Sequence, residues 1–212
     1  MILLLIGIAF LIGSVPTGLL LAKGKGIDLK RVGSGNIGAT NVMRTMGKEA
    51  ALLTLIGDMA KGALPLLLFR GLLHAGFDIP APGLLAAVFS DTRTATEGLL
   101  GLSAILGHIF SVFLKGKGGK GVATSLGMLL VLSPYVALLS VTIWLITAKW
   151  TRYSSLSALV AFGLLPFNFL VLDPAREKVA TAVVITLLIF LKHIENIRRL
   201  IAGTESKIGQ KG

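Results

Sequence analysis

Seven apolar runs, near residues 2–22, 50–72, 99–114, 122–133, 135–148, 155–171 and 179–191, take up most of the chain. A helix needs about 17–25 apolar residues to cross a bilayer. Within hydrocarbon, every backbone N–H and C=O must be satisfied by a helix or a closed barrel. Runs of this length imply an all-α, polytopic membrane helix bundle. The first two are long enough alone, whereas the later ones must extend into their flanks or be covered by neighbours. The stretch Gly121–Trp150 is ambiguous, because Ser133-Pro134 interrupts it. Proline disfavours helix at the residue before it, so two helices and a tight turn are expected there.

Charge reaches the same answer independently. With the split at Pro134 there are seven transmembrane helices, and the loops alternate sharply. One side carries Lys23, Lys25, Lys30, Arg31, Arg44, Lys48, Lys115, Lys117, Lys120, Lys149, Arg152, Lys192, Arg198, Arg199, Lys207 and Lys211. The other holds only Arg93, Arg176 and Lys178, with Arg70 near a span end. Basic loops stay inside, which puts the N-terminus outside and the C-terminus in the cytoplasm. The formal net charge of +11 is therefore read as loop topology and not as a nucleic-acid surface. The first run has no cationic leader and no small-residue cleavage site, and is read as a span. The absence of cysteine excludes a thiolate nucleophile, an acyl-cysteine intermediate and a disulfide framework. His74–Gly98 is expected to be an external loop, with turn signals at Ile79-Pro80-Ala81-Pro82-Gly83.

Three polar segments then share the cytoplasmic face. In Val32–Arg44, Gly33-Ser34-Gly35-Asn36-Ile37-Gly38 matches G-x-G-x-x-G, but a membrane helix precedes it where a dinucleotide fold needs a strand. Ser34, Gly35, Asn36, Gly38, Thr40, Asn41 and Arg44 instead read as an anion-binding loop. In Lys115–Thr124, Gly121 stands where a Walker loop needs Ser or Thr for magnesium. Gly118, Gly119 and Gly121 around Lys120, with Thr124 following, can still wrap a phosphate at the N-terminus of a helix starting at Val122. His193, Asn196 and Arg199, spaced i, i+3, i+6, lie along one stripe at the end of the last span. Asp58 and Lys61, at i, i+3 within the second run, read equally well as functional intramembrane charges or as a structural pair that supports the first loop. His108 reads as an interior histidine, and Tyr153, Ser155 and Ser157 as hydroxyls opening the sixth span. No group has metal-ligand spacing, so neither metal nor cofactor is expected.

Phosphate sites at one rim of a membrane bundle suit a lipid-linked anion meeting a soluble one. The three ordered motifs, Gly33–Asn41, Gly119–Thr124 and His193-x-x-Asn196-x-x-Arg199-Leu200-x-x-Gly203-x-Glu205-x-Lys207, resemble those of the bacterial acyl-phosphate:glycerol-3-phosphate acyltransferases. The resemblance runs the length of the chain. It implies a seven-helix inner-membrane enzyme of one domain that moves a fatty acyl group from long-chain acyl phosphate to glycerol 3-phosphate. Its partners would be those two substrates, membrane lipid and, transiently, the enzyme that makes acyl phosphate. It further implies that His193, Asn196 and Lys120 act in catalysis, while the first loop, Gly118, Gly119, Gly121, Thr124, Ser155 and Arg199 bind substrate. The proton acceptor stays open between His193 and a substrate phosphate. Ser111 departs from the proline common in the family. The alternative reading, an anion transporter or lipid-linked phosphate carrier, would want repeats and charges at the midplane.

Overall fold

A computed structural model describes residues 1–210; Lys211, counted above among the cytoplasmic cations, lies outside them. The elements among those residues are helical throughout. Helices α1 (Ile2–Ser14) and α2 (Thr17–Lys23) divide the first apolar run, which was expected to be continuous. The two bend by 41°, because Pro16 cannot donate to the helical ladder and Val15 before it is extended. After the first motif come α3 (Ala39–Met46) and α4 (Lys48–His74), a 27-residue helix that passes through Pro65 unbroken.

The stretch expected to be an external loop is partly helical. It contains α5 (Gly83–Val88) and the first turns of α6 (Thr92–Ile109). Asp91 caps α6 by accepting from the Thr94 amide at 3.0 Å, so the polar sequence Thr92–Gly98 is helix rather than loop. Glu97 on this turn is buried and pairs bidentately with Arg70 at 2.8 and 2.7 Å. A 3₁₀ turn (Val112–Leu114) follows α6.

The expected split at Pro134 is present: α7 (Val122–Leu132) ends there and α8 (Pro134–Thr151) begins. Then come α9 (Ser154–Gly163) and α10 (Leu165–Leu172), bent by 42°, and α11 (Arg176–Lys192) and α12 (Ile194–Ile201), bent by 59°. Lys48–His74 and Thr92–Leu114 are each long and apolar enough to cross a membrane, and up to five spans result if each bent pair counts as one. Leu53, Ile56, Leu64 and Leu67 of α4 are about half exposed, an apolar face of the kind that a membrane covers.

Two helix pairs approach at backbone distance. A Cβ on Gly62 would lie 1.9 Å from the Thr124 carbonyl oxygen, and one on Gly127 would lie 1.8 Å from that of Met59, so α4 and α7 interlock through reciprocal glycines. Gly13 meets Ala104 and Gly107 meets Phe10 in the same way between α1 and α6. In hydrocarbon no water-driven attraction holds helices together, so close packing and interhelical hydrogen bonds must do so. Ser103 Oγ donates to the Ile6 carbonyl at 2.9 Å and Ser14 Oγ to that of Gly107 at 3.3 Å. Ser111 adds a donor to the Ser14 carbonyl at 2.5 Å. The short helix α7 is largely enclosed: Met128 and Leu129 are fully buried in the main core with Leu66, Leu100, Ile105 and Phe162.

Candidate active site

All three motifs border one cavity of about 630 Å³. Its polar rim includes Ser34, Asn36, Gly38, Thr40, Asn41, Arg44, Lys120, Gly121, Ser155, His193 and Asn196, while Leu52, Leu55, Met59, Leu126, Val141, Trp144 and Leu145 form an apolar wall. Segments far apart in sequence are joined because α4, α7, α9 and α11 all end near the same rim.

The first loop is built around Asn41. Its Oδ1 accepts from the Ser34 amide at 2.8 Å, and its Nδ2 donates to the Leu29 and Val32 carbonyls at 3.3 and 3.1 Å. The side chain expected to bind substrate thus holds the loop in shape. Gly33 has φ +59° with the Asn41 amide against it, and Gly35 has φ +68°, backbone that residues with a Cβ rarely adopt. Gly35 shapes this loop and does not border the cavity. Thr40 Oγ1 and Ser154 Oγ share a hydrogen bond at 3.0 Å, which ties the loop to the start of α9.

The glycines of the second motif act differently from a phosphate cradle. The Gly118 amide donates to the Ile109 carbonyl at 3.1 Å, and the Gly119 amide to the His108 carbonyl at 3.0 Å. A Cβ on Gly118 would sit 2.0 Å from the His108 carbonyl oxygen. These two glycines dock the turn on the end of α6, and their N–H groups are spent there. Of this segment it is Lys120, Gly121 and the first turn of α7, with Val122 and Ala123, that border the cavity, where a helix N-terminus presents backbone N–H groups without intrahelical partners. Thr124 is fully buried against α4 and does not border it.

The third motif is bent at His193, between α11 and α12. His193 Nδ1 lies 2.8 Å from the Ile189 carbonyl. A carbonyl only accepts, so Nδ1 carries the proton and Nε2 is the acceptor. Burial and the nearby Lys120 charge push this imidazole down to about 4. Asn196 accepts from Lys120 Nζ through Oδ1 and donates to Glu205 Oε1 at 2.6 Å. Glu205 also accepts from Ser155 Oγ at 2.6 Å and from Arg199 Nε at 2.7 Å. Burial opposes ionisation of Glu205, but donors from Ser155, Asn196 and Arg199 hold its carboxyl below its usual range. Arg199 was expected to touch substrate; it lies outside the cavity wall and is committed to Glu205. For Lys120, burial outweighs the pull of Glu205, and with Arg199, Lys192 and Arg44 nearby the ammonium falls to about 8.

The tail closes over this rim. Arg44 Nη2 donates to the Ser206 and Lys207 carbonyls at 3.1 and 3.3 Å. Ile208 and Arg152 exchange hydrogen bonds at 2.6 and 3.1 Å. Sequence reasoning assigned Glu205 no role, yet it gathers Ser155, Asn196 and Arg199 at this rim. Asp58 and His108 also border the cavity, which their place in apolar runs did not reveal.

The model of the family described as glycerol-3-phosphate acyltransferase matches residues 3–203. A glycerol-3-phosphate acyltransferase of Geotalea daltonii is 44% identical over 206 residues, 97% of this chain and 96% of that protein. One from Agrobacterium fabrum is 46% identical over 209 residues, 97% of this chain and 91% of that protein. The crystal structure of PlsY (YgiH), an integral membrane glycerol 3-phosphate acyltransferase, in its glycerol 3-phosphate form, superposes with a TM-score of 0.83 at 39% identity, covering 98% of this chain and 96% of that one. Its lysophosphatidic acid form gives a TM-score of 0.81 at 38% identity, covering 98% and 95%.

Proposed function

Since this chain belongs to the glycerol-3-phosphate acyltransferase family, we propose that it moves a fatty acyl group from an acyl phosphate to the 1-hydroxyl of glycerol 3-phosphate, giving lysophosphatidate and inorganic phosphate, as one membrane-integral domain. The chain is accordingly an integral membrane acyltransferase of glycerol 3-phosphate. The observation that carries the donor assignment is the continuity of the cavity: a cationic, hydrogen-bonding rim runs directly into an apolar wall between α4, α7 and α8. The rim suits two phosphates, and the wall suits an alkyl chain that stays in lipid.

In this reading Lys120 and the α7 N-terminus hold the donor's phosphate. His193 and Asn196 orient glycerol 3-phosphate, Arg44 adds charge at the mouth, and Arg199 acts through Glu205 to hold Asn196. The glycerol hydroxyl oxygen attacks the acyl carbon, and the bond from that carbon to the bridging oxygen breaks. The hydroxyl proton ends on the departing phosphate, which leaves as hydrogen phosphate. An acyl phosphate is already activated, so the main demands are positioning and charge neutralisation. His193 offers Nε2 as an acceptor to the hydroxyl. At about 4 it is a poor store for a proton near neutrality, whereas a phosphate's second pKa is about 6.

The topology we infer has seven spans, in the inner membrane, with the N-terminus outside and the motifs cytoplasmic. The helix break at Pro134, the loop-charge asymmetry and the gathering of all three motifs at one rim support it. The test is product analysis of purified protein given palmitoyl phosphate and glycerol 3-phosphate, with palmitoyl-CoA as the control donor. Lysophosphatidate should form from the acyl phosphate only. Equal or faster transfer from palmitoyl-CoA would overturn the donor assignment.

A further inference from the structure

Two charges are buried within the longest apolar helix. Asp58 and Lys61 are 3% and 4% exposed, and Lys61 Nζ donates to Asp58 Oδ1 at 2.5 Å. Taking both ions out of water is costly, and an apolar pair of similar volume is often as stable, so such a pair is weak evidence of a stabilising role alone. Its surroundings suggest more. His108 Nδ1 stands 4.0 Å from Asp58 Oδ1, and both residues border the cavity. The other edge of the same imidazole lies under the second motif: a Cβ on Gly119 would come 2.2 Å from His108 Nε2. The His108 and Ile109 carbonyls hold the Gly119 and Gly118 amides. The next residue is Lys120.

We propose that Asp58, paired to Lys61, is a positioning residue that sets the His108 ring and through it the 118–121 turn, so that Lys120 and the first turn of α7 meet the donor phosphate. The inference rests on the role given to Lys120 above. Asp58 biases the ring by charge from one edge, and the ring supports Gly119 from the other. Only glycine lets the turn come that close. Misplacing an ammonium by a fraction of an ångström lowers transition-state stabilisation more than ground-state affinity, so the effect should appear in turnover.

The experiment is a double-mutant cycle on purified, detergent-solubilised protein, with kcat and KM for each substrate measured beside thermal unfolding. Asp58→Asn should lower kcat by about 10- to 100-fold and leave KM for glycerol 3-phosphate within about threefold. In a His108→Ala background the same substitution should cost less than about threefold, because its route to the turn is gone. Asp58→Asn with Lys61→Met removes both charges and guards against misfolding of the single variant; it should keep its unfolding temperature and still show reduced kcat. A separate arm needs no change to the pair: Gly119→Ala should impair turnover, and His108→Ala should relieve that clash, leaving the double variant no worse than His108→Ala alone. Multiplying losses in the cycle, full turnover in the charge-balanced variant, or a Gly119→Ala defect that His108→Ala does not suppress would each overturn the proposal. Lys120→Ala is run alongside. Full activity there would remove the underlying assignment, whereas a dead Lys120→Ala with no Asp58–His108 coupling removes the positioning role alone.

Discussion

Lys120 makes the sharpest prediction, because its electrostatics and its chemistry should appear in one profile. An ammonium lowered from its usual 10.5 to about 8 carries its charge in the free cavity at a cost of about 3 kcal/mol, at about 1.4 kcal/mol per pH unit. A phosphate dianion at the rim offsets that cost. Removing the charge by Lys120→Ala should forfeit about 2–4 kcal/mol of transition-state stabilisation, a loss of roughly 30- to 1,000-fold in kcat/KM. The wild type should show an alkaline limb in kcat/KM: the ammonium is needed, and it is lost as pH rises through about 8. In kcat the limb should lie higher, since bound phosphate favours the charged form. Lys120→Arg keeps its charge throughout the assay range and should abolish that limb, although a planar guanidinium fits the Asn196 contact less well and activity should be partial. The assay is lysophosphatidate formation from palmitoyl phosphate in micelles across pH 6–10. A Lys120→Ala enzyme within threefold of wild type, or an unchanged alkaline limb in Lys120→Arg, would refute the reasoning.

Three further outcomes are expected. His193→Asn should raise KM for glycerol 3-phosphate and lower turnover while the acidic limb persists near the substrate's second phosphate pKa of about 6, because the imidazole at about 4 is not the group titrating there; a lost acidic limb in the pH–rate profile would make His193 the base. The chain has no cysteine, so single cysteines at Ser34, Lys117 and Ser206 should resist a membrane-impermeant thiol reagent on intact cells while one at Thr94 reacts; labelling of Ser206 from outside would break the seven-span topology. Gly127→Ala places a Cβ 1.8 Å from the Met59 carbonyl oxygen and should destabilise the α4–α7 contact by about 1–3 kcal/mol, read as a lower unfolding temperature in detergent; an unchanged temperature would show that the interface can relax.

What could be read from the chain alone is what depends on neighbours in sequence. Apolar length implied membrane helices, Pro134 marked the break between α7 and α8, and clustered glycines and cations marked the three segments that meet at one cavity. The same local logic could have found the bend at Val15-Pro16, since it is again a proline effect. The polar start of α6 was taken for loop because its helical signal, the Asp91 cap, sits outside the apolar run. Which atoms each motif residue serves was decided only by the tertiary structure. Gly118 and Gly119 read equally well as a phosphate cradle or a docking turn until the end of α6 lies against them. Asn41 turns inward to hold its own loop, and Arg199 goes to Glu205. Lys120 meets Asn196 across 76 residues and Arg44 meets the tail across 162. Asp58 and His108 border the cavity only because α4 and α6 bring them together. Propensity and hydropathy act over a few residues, whereas hydrogen bonds and ion pairs act over a few ångströms, and helix packing alone converts one distance into the other.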